Sequence, residues 1–245
     1  MEFANFLNNG EVKEFYSKFN LINANKNNAV LISKNYTKDN IISTKLYCEI
    51  KDNNINIFKM FFNDISLISK LLPHWNSNRE SSLCAGIKYD NKIQKFIPYF
   101  HIKFNYNSAI DIDIYKPTKY ILPTSSLRGI SIEFYNIPIL KKYFYYESEL
   151  EKKFLSNKFN LKEIPNHFEY TESNNVNKII FVYDRKNNIF TTKDIIKKAN
   201  KNIILDVKST FKSFKVLPCF YGEYISDNIT AVYWSLSNKP PCIEI

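Results

Sequence analysis

Residues 83–103 read LCAGIKYDNKIQKFIPYFHIK. The stretch is two alternating runs separated by Asp90-Asn91, a pair suited to a turn. In the first run Leu83, Ala85 and Ile87 oppose Cys84, Gly86 and Lys88. In the second, Phe96, Pro98, Phe100 and Ile102 oppose Tyr99, His101 and Lys103. Successive side chains of a strand point to opposite faces. The stretch therefore predicts a hairpin with strands at 82–89 and 96–104, apolar on one face and carrying lysine, histidine and tyrosine on the other.

The same division recurs on both sides of this hairpin. Over 41–50, Ile42, Thr44, Leu46, Cys48 and Ile50 oppose Ile41, Ser43, Lys45, Tyr47 and Glu49. Over 129–135, Ile130, Ile132 and Phe134 oppose Ser131, Glu133 and Tyr135. Helical periodicity separates the hairpins. Phe3, Phe6, Leu7, Val12, Phe15, Tyr16 and Phe19 predict a helix over 2–19, before strands at 28–36 and 41–50. Ile57, Phe61, Ile65, Ile68 and Leu72 predict a second helix, ended by Pro73. Residues 105–126, with Pro117 and Pro123, give no clean helix; a hairpin at 128–147, broken near Pro138, follows them. Ser148-x-x-Glu151 is a capping box for a helix before a hairpin at 166–184. Thr191-x-x-Asp194 is another, opening a long helix through Ile196, Ala199, Ile203, Val207 and Phe211. Strands at 214–224 and 228–237 close the chain.

Five helix-plus-hairpin units supply about ten strands with amphipathic helices between them. The expectation is an α+β fold: one domain over 1–245, a closed antiparallel barrel of about ten strands with helices outside. The apolar strand faces then meet the helices and the polar faces line the lumen. An open sheet with its polar face in water is the plain alternative.

Composition bounds the chemistry. Four glycines in 245 residues leave no Gly-rich phosphate loop or dinucleotide fingerprint. The cysteines, Cys48, Cys84, Cys219 and Cys242, form no CxxC pair, so they read as free thiols of a reducing compartment. No secretory signal and no membrane-length apolar run is legible, and the expected location is cytoplasmic. The net charge of +10 fits plain solubility as well as a polyanionic ligand. No Ser-His-Asp order or HExxH helix occurs. Lys141-Lys142 and Lys197-Lys198 read as solvated charges.

An interior lined by lysine and tyrosine has a chemical logic. Ammonium groups converging from several strands neutralise a diphosphate. Tyrosine faces shield a carbocation, and an inward carboxylate orients or deprotonates an acceptor.

Three segments resemble the cyanobactin peptide prenyltransferases, whose fold is the ABBA-type barrel of ααββ units. They are the hairpin Ser33–Tyr47, the pair Leu83–Lys88 and Phe100–Lys103, and Asn174–Asp184 with the closing Asp227–Tyr233. The resemblance implies transfer of a dimethylallyl or longer prenyl group from its diphosphate to a side chain or terminus of a small, usually cyclic, ribosomal peptide, with Mg2+ assisting the diphosphate. It implies a diphosphate site at Lys45, Lys88 and Lys103, the lysines that alternation also turns inward. Tyr183 and Tyr233 match tyrosines around the prenyl group. Tyr47, Tyr99, His101 and Tyr135 join them as prenyl- or acceptor-facing residues by their place on the polar faces. No membrane or nucleic-acid partner is implied, and the chain is expected to act as a monomer.

The chain departs from that family in two places. Leu31 stands where the family has an acceptor-contacting glutamate, so Glu133, with Glu49 as second choice, is the candidate catalytic acid. The region 105–126 is shorter than the family's. Two rival readings remain. Basic charge interleaved with aromatics suits single-stranded nucleic acid, although no RNP-like or KH-like motif is present. Leu31 also fits a catalytically inactive peptide-binding relative.

Overall fold

The computed structural model describes residues 1–23, 28–75, 82–103, 126–146, 148–162, 164–165, 167–173, 176–184, 192–211, 216–224 and 228–236. Of residues 23, 126, 167, 169–173, 176–184, 192 and 217 it describes the backbone alone. The chain opens with α1 (Phe3–Asn8) and α2 (Gly10–Asn23), then the hairpin β1 (Val30–Tyr36) and β2 (Ile41–Glu49). Helices α3 (Ile55–Lys59) and α4 (Ser66–Leu71) precede β3 (Leu83–Asp90) and β4 (Lys95–Lys103). The third hairpin is β5 (Ser126–Glu133) and β6 (Ile139–Tyr146). Helix α5 (Glu149–Lys158) leads to β7 (His167–Ser173) and β8 (Val176–Asp184). Helices α6 (Thr192–Lys198) and α7 (Lys201–Thr210) lead to β9 (Leu217–Tyr224) and β10 (Ile229–Ser235).

Each strand runs antiparallel to its chain neighbour, and β10 pairs with β1 from Leu31↔Ser235 to Tyr36↔Thr230, closing a barrel. Among the described strands, closure leaves no free edge.

The alternating faces separate into distinct apolar clusters. The large cluster joins Leu46 and Cys48 of β2 with the adjoining Ile50, Leu83, Ala85 and Ile87 of β3, Phe100 and Ile102 of β4, and Ile130 and Ile132 of β5 to helix residues such as Phe6, Phe19, Phe58, Ile68 and Val207. Edge-to-face contact of Phe58 with Phe100, 5.6 Å between centroids, is one such join. Each fully buried side chain of this size contributes about 1.5–3 kcal/mol, so this layer dominates the folding energy. A small second cluster, Leu31, Tyr47 and Tyr99 with Cys219 and Tyr233, lies on the opposite strand faces, inside the barrel.

The helices are more broken than periodicity predicts. The helix expected over 2–19 is split at Asn9, whose side chain accepts the Glu11 amide at 2.9 Å. The helix expected through 57–72 becomes α3 and α4, and the carboxylate of Asp64, between them, accepts the Ser66 amide at 2.9 Å. Asn200 divides α6 from α7 in the same way and takes the Asn202 amide at 2.9 Å. Short polar side chains offer the backbone an alternative to the helix, while the apolar rhythm runs on through the break. Helix α4 ends at Leu71, as Pro73 predicts, and Pro73 lies in the 3-10 turn Leu72–His74 that follows it. The Ser148 capping box forms as expected, with both reciprocal bonds. Residues 105–125 and Thr191 lie outside the described residues.

One contact of the outer layer has no sequence signal. Lys34, 1% exposed, sits among the packing residues of β1 and donates to Asp206 of α7. Asp206 also accepts the Phe3 amide at 3.1 and 3.2 Å, tying α1, α7 and the barrel wall together. Among the described residues no helix is long and apolar enough to cross a membrane.

Candidate active site in the barrel interior

Register brings the polar faces of neighbouring strands together. Lys45 of β2 is directly opposite Lys88 of β3, and Tyr47 is opposite Gly86. Gly86 is opposite Tyr99 of β4, which is opposite Glu133 of β5. A Cβ at Gly86 would stand 2.7 Å from the Leu46 carbonyl oxygen and 3.1 Å from the Tyr99 ring. The missing side chain is what lets Tyr47 and Tyr99 meet edge to face, 5.2 Å apart.

These rings belong to a longer aromatic wall. Tyr233 lies 5.6 Å from Tyr47, with a hydroxyl-to-hydroxyl hydrogen bond of 3.3 Å, and 4.8 Å from Phe220. In the other direction Tyr99 stacks on His101 at 6.3 Å, and His101 meets Tyr143 edge-on at 5.6 Å. Burial raises the hydroxyl pKa of both Tyr47 and Tyr99, so both stay neutral. Burial, with the charges of Lys103 and Lys45, lowers His101 to about 3, so its ring is neutral too.

A charge cluster adjoins the wall. Glu133, 2% exposed, accepts from Lys88 Nζ at 2.8 Å and from Lys141 Nζ at 2.7 Å, one lysine on each carboxylate oxygen. Lys88 also donates to the Tyr135 hydroxyl at 2.6 Å and lies 3.3 Å from Asp90. Tyr135 in turn donates to Asp90 at 2.7 Å. Burial opposes the charge of Glu133, but Lys141, Lys45 and Lys88 outweigh it and hold the carboxyl far below its usual range. Burial likewise opposes the charge of Lys88, and Glu133 and Tyr135 outweigh it, raising the ammonium above its ordinary value. Burial lifts the Tyr135 hydroxyl to about 12.

Lys45 is the exception in this cluster. It is 7% exposed, yet among the described residues it has no hydrogen bond and no carboxylate within ion-pair reach. Its Nζ lies 6.0 Å from the Tyr47 ring centre and 5.5 Å from that of Tyr99. Burial, reinforced by Lys141 and Lys88, lowers it to about 7 against the pull of Glu133 and Asp90. A buried cation with no partner is costly to a fold. An anion arriving beside it removes that cost.

The three lysines expected to form one diphosphate site do not stand together. Lys45 and Lys88 are register partners, but Lys103 lies six positions along β4 from Ile97, the residue opposite Lys88. At about 3.3 Å per residue this is roughly 20 Å of strand. Lys103 is at the far end of the wall, 5.6 Å from the Tyr145 ring centre. Alternation assigns a face to each lysine but not a height along the barrel.

Glu133 faces inward as expected, but both of its oxygens are held by lysines, and a carboxylate of such low basicity is a poor proton acceptor at neutral pH. Glu49, the second choice, accepts the Ala29 amide at 3.1 Å. Lys141, read from sequence as a solvated charge, is instead part of the interior cluster. The signal for it was available, because Lys141, Tyr143 and Tyr145 alternate with Leu140, Lys142 and Phe144 just as the other strands do. Leu31 packs against Tyr47 and Tyr99, making apolar the position where an acid was sought. Tyr183 lies opposite Tyr221 in the β8–β9 ladder; its side chain is outside the described ones.

Among the described residues no group of three His, Cys, Asp or Glu is placed to hold a metal ion. The carboxylates nearest Lys45 are committed, Glu133 to two lysines and Asp90 to Lys88 and Tyr135. The described cluster therefore does not fit a protein-held Mg2+. The basic and aromatic residues that suggested single-strand stacking lie inside the barrel, with Tyr47 and Tyr99 each 6% exposed.

No protein-family profile matches the chain, and no curated protein sequence does so. Solved structures do match. One is the crystal structure of 5-dimethylallyl tryptophan synthase from Streptomyces coelicolor in complex with DMASPP and tryptophan, at a TM-score of 0.49 and 10% identity over 88% of this chain and 82% of that one.

Proposed function

We propose that the barrel interior binds a prenyl diphosphate and transfers its prenyl group, dimethylallyl or longer, to a side chain or terminus of a small peptide. The observation that carries the reading is Lys45, a buried ammonium with no partner among the described residues, beside the Tyr47, Tyr99 and Tyr233 rings. The two halves of an ionising allylic diphosphate ask for these two surroundings. The C–O bond breaks heterolytically, and both bonding electrons leave with the pyrophosphate. Lys45 stabilises that anion through charge-assisted contact in a water-poor site. The aromatic faces stabilise the allylic cation and keep water from it. The acceptor's nucleophile then forms the new bond, and its proton passes to the departing pyrophosphate.

Glu133 serves in this scheme by fixing Lys88 and Lys141 around the leaving group rather than by taking the proton. Magnesium would reach the site as the counter-ion of the diphosphate, since the neighbouring carboxylates are occupied by lysines and Tyr135.

The non-hydrolysable dimethylallyl S-thiolodiphosphate tests the donor half. A ligand that binds only the native state raises its stability by mass action. The analogue should raise the melting temperature of the wild type and should do so far less in Lys45→Met. No stabilisation at millimolar analogue would count against the reading.

A further inference from the structure

The amine of Lys45, without a partner among the described residues, supports a second chemistry that needs neither a diphosphate nor a peptide. Its neighbours come from five strands: Tyr47 on β2, Lys88 and Asp90 on β3, Tyr99 and His101 on β4, Glu133 on β5, and Lys141 on β6. The two acids are engaged elsewhere, Glu133 by Lys88 and Lys141 and Asp90 by Lys88 and Tyr135. The tyrosines and His101 are neutral. Lys45 is therefore an amine removed from water, flanked by aromatic rings and by two like charges, with no acceptor for its protons among the described residues. Desolvation next to other cationic groups is the setting in which a lysine side chain becomes a nucleophile.

We propose that Lys45 is a carbonyl-reactive amine that forms an imine with small aldehydes or ketones bearing a carboxylate or phosphate. Nζ of the free base adds to the carbonyl carbon. The carbonyl oxygen then leaves as water, taking up two protons in all, both lost from Nζ, and a C=N bond remains. The anionic group of the substrate answers the charges of Lys88 and Lys141, which flank the amine. Burial supports the geometry by lowering Lys45 to about 7. At pH 7 an ordinary lysine is free base in about one molecule in 2,500, whereas Lys45 is free base in about half.

Glyoxylate is a suitable probe because it is small and carries both an aldehyde and a carboxylate. The full chain is incubated with glyoxylate and sodium cyanoborohydride at pH 7, digested and mapped by mass spectrometry. Cyanoborohydride delivers hydride to the imine carbon and fixes the adduct as carboxymethyl-lysine. Lys45 should be modified at least about ten-fold faster than the exposed Lys13, the excess of free amine being partly offset by its lower basicity. Its rate should level off above about pH 8, while the Lys13 rate continues to climb toward its ordinary pKa of about 10.4. Modification of Lys45 no faster than Lys13, or confined to surface lysines, overturns the proposal.

Discussion

Replacing Lys45 by methionine should make the protein more stable and less able to bind an anion, an unusual pairing that follows from one missing contact. Lys45 is 7% exposed, faces Lys88 across the ladder and has no hydrogen bond or ion pair among the described residues. Its folded-state pKa is lowered to about 7, against about 10.4 for the unfolded chain. Between these values the unfolded chain binds more protons, so stability rises with pH across the window. The penalty is fully present below about pH 7 and gone above about pH 10.4. Each pKa unit is about 1.4 kcal/mol, which sets an upper bound of roughly 4 kcal/mol at pH 7. Methionine fills a similar space with no charge. A realised gain of about 2–3 kcal/mol would raise the melting temperature by roughly 4–12 °C for a chain of this size. Thermal unfolding of both proteins from pH 6 to pH 10 measures it. The gain should shrink steadily as pH rises, and added pyrophosphate should narrow it at pH 7 by stabilising only the wild type. A Lys45→Met protein less stable than wild type at pH 7, or a difference that ignores pH, would refute the claim that this amine lacks a partner.

Three further outcomes follow from neighbouring residues. Glu133→Gln should destabilise the protein by about 3–5 kcal/mol at pH 7, because it leaves Lys88 and Lys141 without their shared carboxylate. Glu133 has a depressed pKa, so this loss is full above the ordinary carboxylate pKa of about 4.3. It should diminish as pH falls toward the depressed folded value, and unchanged melting at pH 7 would contradict the bridge. Gly86→Ala should cost about 1–3 kcal/mol through overpacking, seen as an earlier denaturation midpoint, since the new methyl meets the Leu46 carbonyl at 2.7 Å. Pyrophosphate binding should draw protons from solution at pH 7, as Lys45 becomes fully charged. Titration calorimetry in buffers of different ionisation heat measures that uptake, and Lys45→Met should abolish it; equal heats in all buffers would deny the linkage.

Much of this barrel is legible because strand alternation is local. The runs around Leu46, Ile87, Phe100 and Ile132 each identify a packing face, and the cluster of those residues against the helices follows from it. The breaks at Asn9, Asp64 and Asn200 were hidden because the apolar rhythm passes through them while side chains of these short polar residues capture backbone amides. Site assembly was less legible for a different reason. Placing Lys103 with Lys45 and Lys88 needs heights along the barrel, which are fixed by register between strands far apart in sequence. Glu133 was found by alternation, but its commitment to Lys141 on neighbouring β6 and to Lys88 on β3, two strands away, is a tertiary fact. Lys34 carries no pattern at all: it is a lysine on a packing face, tolerated only because Asp206 reaches it from α7.

The central claim is prenyl transfer inside the barrel, and the most direct measurement is mass spectrometry of the reaction itself. The purified full chain is incubated with dimethylallyl or geranyl diphosphate, with and without Mg2+, and with a panel of linear and cyclic peptides. The account predicts a peptide gaining the mass of the prenyl group with release of pyrophosphate, and a reaction slowed by about ten- to a hundred-fold in Lys45→Met, the loss of one charge-assisted contact of roughly 1.5–3 kcal/mol. No prenylated peptide under any of these conditions, with the donor recovered intact, would contradict it.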